Sequence, residues 1–139
     1  GRYGMVLPRF VQSALRGESL RVFGDGRQTR CFCHVHDTVR ALMALEGLPA
    51  SVGRIFNVGT EEAITINNLA QAVIDETGSS SDIAHVPYED AYEPGFEDMR
   101  HRMPDTSAVR ECAGWQPEKS LRQIIADVSE FLKRETQAQ

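Results

Sequence analysis

Residues 20–35 read LRVFGDGRQTRCFCHV, and the fold class turns on how this stretch divides into strands. Leu20–Phe23 and Thr29–Val35 carry β-branched and aromatic residues, and Gly24-Asp25-Gly26 between them is turn chemistry. Two β-prone runs around such a turn predict a hairpin. A Gly-x-Gly also invites a phosphate cradle. A dinucleotide loop, however, needs a strand before it and a helix after it, and here a second strand follows. The glycines are therefore read as turn residues.

N-terminal to this stretch, Pro8 suits the first turn of a helix with Phe10, Val11, Ala14 and Leu15 on its apolar face and Gly17 at its end. C-terminal to it, Asp37 is placed to cap a helix through Val39, Leu42, Met43 and Leu45 that stops at Gly47. Ile55–Val58 is a short β-prone run closed by Gly59. Thr65 is a candidate N-cap for a helix with Ile66, Leu69, Val73 and Ile74 on one face, and Gly78 follows it. Ile83–Val86 reads as a strand, residues 87–104 as an irregular segment, and Thr106–Ala113 as a helix halted by Gly114-Trp115. Ser120 and Gln123 form a capping box for a last helix whose apolar face is Leu121, Ile124, Ile125, Val128, Phe131 and Leu132. The pattern is α/β, or an α+β fragment, of short strands with packed helices. The 139 residues are long enough for a core and are read as one unit, 1–139.

Hydrophobic residues make up 41% and charged residues 25%, an ordinary globular balance. A formal net charge of −5 offers no general attraction to nucleic acid or to an anionic membrane. No apolar run approaches the roughly 20 residues of a membrane span, and no signal-peptide pattern opens the chain. Three cysteines, Cys31, Cys33 and Cys112, do not make a disulfide framework, so a reducing cytoplasm is expected. The opening Gly1-Arg2-Tyr3-Gly4 has no methionine and reads as an interrupted loop.

Cys31, Cys33, His34 and His36 resemble a ligand set only on paper. On an extended strand, 31 and 33 point to one face and 34 and 36 to the other, so they do not converge on a tetrahedral ion. We read no metal site and no catalytic residue in this chain. The cysteines are taken as small packing groups, because no His/Asn constellation accompanies them.

The arginines carry more. Lysine occurs only at 119 and 133, so most positive charge is arginine, which suits bidentate contact with phosphate or carboxylate. Arg30 opens an apolar run, where a charge needs a partner: either a salt bridge at a strand start or a ligand. Arg100 and Arg102 lie in FEDMRHRMPD (96–105), either on a solvated loop face or, if the loop folds back, with Arg30 around a diphosphate. Asn57 sits inside an apolar run, satisfying backbone groups or contacting a ligand.

Several segments, in order, resemble the extended short-chain dehydrogenases, the NAD-dependent epimerase/dehydratase family. GMVLPRFVQSALRGESLRVFGDGRQTRCFCHVHDTVRALMAL is similar to that family's proline-led helix, its strand pair around G-d-G-x-Q-x-R, and its V-x-D helix start. IFNVGTEEAITINNLAQAVIDETG resembles its f-N-v-G segment and following helix, and RMPDTSAVRECAGWQPEKSLRQII its R-x-x-D…G-W-x-P segment. The resemblance implies a C-terminal, substrate-binding portion without the N-terminal Rossmann core. It also implies a UDP- or dTDP-sugar as ligand and NAD as the cofactor of the intact enzyme. Arg30 matches the arginine that binds the nucleotide diphosphate. Val22, Phe23 and Gly24 match the strand along the base, and Asn57 a residue near diphosphate or ribose. One of Arg100 and Arg102 matches a second phosphate arginine. Cys31 departs from a frequent aspartate and Ala113 from a frequent leucine. No G-x-x-G-x-x-G follows a strand, and Tyr3, Tyr88 and Tyr92 do not begin a Y-x-x-x-K, so the nicotinamide site and the proton-transfer pair are expected outside this chain. A chain of this kind is also expected to self-associate through exposed apolar surface.

Overall fold

Pro8 occupies the first turn of helix α1 (Val6–Arg16), where its missing N–H leaves no bond unmade. This helix belongs to a computed structural model that describes residues 5–88 and 99–137. Gly17 ends α1 in the left-handed conformation, its N–H bonded to Ala14 O. Helix α3 (Ile66–Thr77) begins as its sequence predicts, with the Thr65 hydroxyl accepting from Asn68 N at 3.1 Å. Helix α5 (Leu121–Gln137) begins with the reciprocal capping box: Ser120 N donates to Gln123 Oε1 at 2.9 Å, and Gln123 N to Ser120 Oγ at 3.3 Å. The three helices bury Leu7, Phe10, Val11, Leu69, Val73 and Ile125 against one another. Phe131, expected on that apolar face, is instead 59% exposed.

Against this helical layer lies strand β1 (Leu20–Phe23), burying Leu20 and Val22. It does not form the predicted hairpin. β1 pairs in parallel with β4 (Ile83–Val86), in register Leu20↔Ile83 to Phe23↔Val86, across the connection that contains α3. β2 (Thr29–Cys31) pairs antiparallel with β3 (Ala63–Thr65), Thr29 opposite Thr65 and Cys31 opposite Ala63. The reason is local. Gly24 and Gly26 both take positive φ (70° and 68°), and Asp25 Oδ1 accepts from Arg27 N at 3.0 Å. With Gln28 buried directly after it, this turn sends the chain away from β1. Parallel pairing then lets α1 and α3 cover the apolar side chains of β1.

Helix α2 (Val35–Glu46) and the short α4 (Ser107–Ala113) enclose a second cluster of Ala41, Val109 and Trp115, joined by Leu45, Phe56 and Val58. Here three expectations are corrected. β2 stops at Cys31, and His34, not Asp37, caps α2 by accepting from His36 N on Nδ1 at 3.0 Å. Asp37 is buried inside the first turn and used elsewhere. Ile55–Val58 belongs to no sheet among the described residues: Phe56 and Val58 pack into the cluster while Ile55 is 93% exposed. Moreover, Val39, Leu42 and Met43 of α2 are exposed together with Val35; Asp37 and Ala41 are the buried pair. Among the described residues no helix is long and apolar enough to cross a membrane.

Candidate functional site

Residues 99–105 run along β2 and tie the predicted site residues to one strap. Thr29 N donates to Arg100 O at 2.8 Å, and its hydroxyl meets His101 Nδ1 at 3.1 Å. Cys31 Sγ donates to Arg102 O at 3.6 Å. At the far end Pro104 sits on Gly59, and Asn57 Nδ2 donates to Asp105 O at 3.2 Å. Residues 99–105 therefore fold back over β2, as the diphosphate reading required. Residues 89–98, including Glu97 and Asp98, lie outside the described residues.

The three arginines have different roles on this strap. Arg30, half-buried, donates through Nη1 to Thr29 O (2.7 Å) and to Met99 O (2.8 Å). Arg100 pairs with Asp25 of the turn at 2.7 Å. Arg102 is exposed and takes no ion pair or side-chain hydrogen bond among the described residues. Arg30 and Arg102 thus flank the same stretch of β2, while Arg100 clasps the strap to the Gly-Asp-Gly turn.

The β1 residues fare unequally. Val22 is fully buried in the core, so its side chain has no access to a ligand, and only its backbone remains for a base. Phe23 is partly exposed, with the Arg9 guanidinium 4.7 Å over its ring. Gly24 packs against Tyr88 so closely that a Cβ would lie 2.3 Å from Tyr88 Cε2. Three further residues of this corner were missed. Gln28 donates to Phe23 O and to the Tyr88 hydroxyl. Asn67 donates to Asp25 O at 2.9 Å and meets His85 at 3.0 Å. Gln28 had a signal, a lone amide two residues before Arg30 in a β-prone run. Tyr88 and Asn67 had none, since only the fold brings them to the turn.

The same packing excludes a dinucleotide cradle here. The space beside Gly24 holds the Tyr88 ring, a Cβ on Gly26 would lie 2.0 Å from Asn67 Oδ1, and β2 rather than a helix follows. Nor are the cysteines poised as thiolates. Burial pushes the Cys31 thiol up, helped by the Glu61 charge, and burial likewise raises Cys33. Among the described residues no group of three or more His, Cys, Asp or Glu side chains is placed to hold a metal ion.

Four carboxylates near the strap and the second cluster are held below their ordinary values. The Arg100 guanidinium, then Arg27 N–H, lowers Asp25; the hydroxyl and N–H of Thr106 lower Glu61; the hydroxyl and N–H of Ser107 lower Asp105. For Asp37, burial opposes the charge, but Lys119 N–H, Glu118 N–H and Arg40 together outweigh it. Because each folded value is depressed, the stabilisation is complete above the ordinary values of 3.8 (Asp) and 4.5 (Glu) and is lost as pH falls through the lowered ones. Thermal melts should therefore be level from neutral pH down to near those values and fall steeply below them. A melting temperature that drops already between pH 7 and 5.5 would contradict these four assignments.

Comparison with known proteins places this geometry. Residues 1–59 match the model of the NAD dependent epimerase/dehydratase family. The chain is 39% identical over 133 residues to a UDP-N-acetyl-alpha-D-glucosaminuronate decarboxylase of Bacillus cytotoxicus, covering 96% of this chain and 41% of that protein. The chain is thus similar to proteins of the NAD dependent epimerase/dehydratase family. In structure it resembles the UDP-glucose 4-epimerase of Thermotoga maritima, solved with UDP-glucose. The TM-score is 0.81 at 28% identity, over 98% of this chain and 42% of that one. MoeE5, solved with UDP-glucuronic acid and NAD, superposes at a TM-score of 0.75 and 30% identity, over 94% of this chain and 42% of that one. The fold is thus that of part of these proteins: the chain spans about two fifths of the length of the relatives it matches.

Proposed function

We propose that this chain is the nucleotide-binding, C-terminal portion of an NAD-dependent enzyme that epimerises, dehydrates or decarboxylates a UDP- or dTDP-sugar. The observation that carries the reading is the strap: residues 99–105 lie along β2, where Met99 O takes Arg30, Arg102 O takes Cys31, and Asp105 O takes Asn57. Two guanidinium forks flanking an extended backbone suit a diphosphate. Of the two candidates in the loop, Arg102 is the phosphate arginine, because Arg100 is engaged by Asp25. Phe23 and Gly24 form the base side. Asn57, anchored to Asp105 O, stands at the ribose end.

In a longer enzyme of this kind, NAD would supply transient oxidation of the sugar. The residues described here do not fit that cofactor, so its site and the tyrosine–lysine pair belong to other parts of such a protein. This chain contributes binding energy from the nucleotide, remote from the reacting carbon, which orients the sugar. Its three unpaired cysteines suit a reducing cytoplasm. Calorimetry should show UDP or dTDP binding to the 139-residue chain, without turnover of UDP-glucose. Arg30→Ala and Arg102→Ala should each weaken binding by about 10- to 100-fold, the loss of a charge-assisted contact. No heat at millimolar nucleotide, or unchanged affinity in both variants, would overturn the reading.

A second reading is favoured by one observation. Val35, Val39, Leu42 and Met43 lie at helical spacing on α2 and are 46–69% exposed, an apolar stripe facing outward. Through it the chain self-associates. Light scattering should then show concentration-dependent oligomers, dispersed by Leu42→Glu with Met43→Glu. A monomer at high concentration would end this reading.

A further inference from the structure

The parallel strands β1 and β4 end side by side, and one buried side chain joins their ends. Gln28 is 5% exposed, and its amide nitrogen donates to Phe23 O at 3.1 Å and to the Tyr88 hydroxyl at 3.0 Å. Its own carbonyl accepts from Ile66 N, so its backbone is fixed on the start of α3. Gly24 N donates to Val86 O at 2.8 Å, which closes the same corner from the β4 side. Tyr88 then packs on Gly24, where a Cβ would lie 2.3 Å from Tyr88 Cε2. In open α/β sheets the carboxyl ends of parallel strands are where ligands sit.

Gln28 holds this corner at a cost. Its Oε1 is buried and finds no donor among the described residues. A buried, unmatched acceptor is unfavourable, and a methionine of similar length would remove it. The amide's two donor bonds are made to the residue before Gly24 and to the ring against Gly24. Both define the wall on which a nucleobase would lie, and an aromatic ring is a surface on which any base can stack.

We propose that Gln28 is the positioning residue of the base-binding wall, setting the Phe23–Gly24 backbone and the Tyr88 ring through its amide. The inference rests on the nucleotide reading above and deepens it: Gln28 and Tyr88 serve the nucleobase, not the phosphates. The test titrates the whole chain with UDP and, separately, with inorganic pyrophosphate. Gln28→Met and Tyr88→Phe, the second removing a single hydroxyl and leaving the ring, should each weaken UDP by about fivefold to tenfold, the scale of one neutral hydrogen bond. Pyrophosphate affinity should stay within about twofold, because Arg30 and Arg102 are untouched. Arg30→Ala should weaken both ligands. If UDP binds the wild-type chain and both amide-corner variants bind it equally well, or lose pyrophosphate in the same proportion, this role is wrong while the nucleotide reading stands. If the wild-type chain binds neither ligand, both fall.

Discussion

Asp37→Ala is expected to lower the unfolding free energy by about 3 kcal/mol and the melting temperature by about 10 °C. The sequence offers Asp37 as a helix cap, a role for which alanine would cost about 1 kcal/mol. Its actual position is more demanding. The side chain is 1% exposed, Oδ1 pairs with Arg40 at 2.7 Å, and Oδ2 accepts from Lys119 N at 3.0 Å. Its backbone carbonyl takes the Trp115 indole N–H at 2.9 Å. One residue thus ties α2 to the stretch 115–119 that leads into α5. Removing the carboxylate strands the Lys119 backbone N–H and takes one of the two carboxylate partners from Arg40. Asp37→Asn keeps one acceptor and should recover part of the loss. Urea melts of the three proteins decide it: a loss near 1 kcal/mol for alanine would return Asp37 to the role of a simple cap.

Gly26→Ala is the second large effect, about 2 kcal/mol or more of stability together with loss of nucleotide binding. The positive φ of 68° is unfavourable for any L side chain, and the added Cβ would overlap the Asn67 amide. Asn67 has little room to give: it holds Asp25 O, meets His85, and its own N–H is bonded to Gly26 O at 3.0 Å. Yielding would release the turn from α3 and carry Asp25, and with it Arg100 and the strap, out of place. Gly17→Ala, also at positive φ but in open space, is the control; it should lose only the conformational part, about 1 kcal/mol. Equal losses at the two glycines would show that the Asn67 contact does not matter.

Periodicity and caps were legible in the sequence because they are local. Thr65, the Ser120–Gln123 box and the left-handed ends at Gly17 and Gly78 are written in adjacent residues, and the structure follows them. Strand pairing was not. Nothing within residues 20–31 tells β1 to seek β4 rather than β2; that choice is made by Leu20 and Val22, which need the cover of α1 and α3. The exposure of the apolar residues of α2 was not legible, since periodicity reports a face and not what covers it. Among the site residues, Arg30 was legible as a charge in an apolar run. The division of labour between Arg100 and Arg102 was not, because it depends on Asp25, 75 residues from Arg100. The burial of the Val22 side chain follows from alternation along β1, which sends it inward while Phe23 stays partly exposed.

The central claim is that one ridge, from the end of β1 along β2 and the strap, receives a nucleoside diphosphate. Its most direct test is an amide-resolved NMR titration of the chain with UDP. Shifts are expected to concentrate at Phe23, Gly24, Arg30, Asn57 and residues 99–105, with residues of α5 unmoved. Absence of shifts at saturating UDP, or shifts confined to the separate cavity of about 240 Å³ beside Phe32, Ile64 and Lys119, would contradict it.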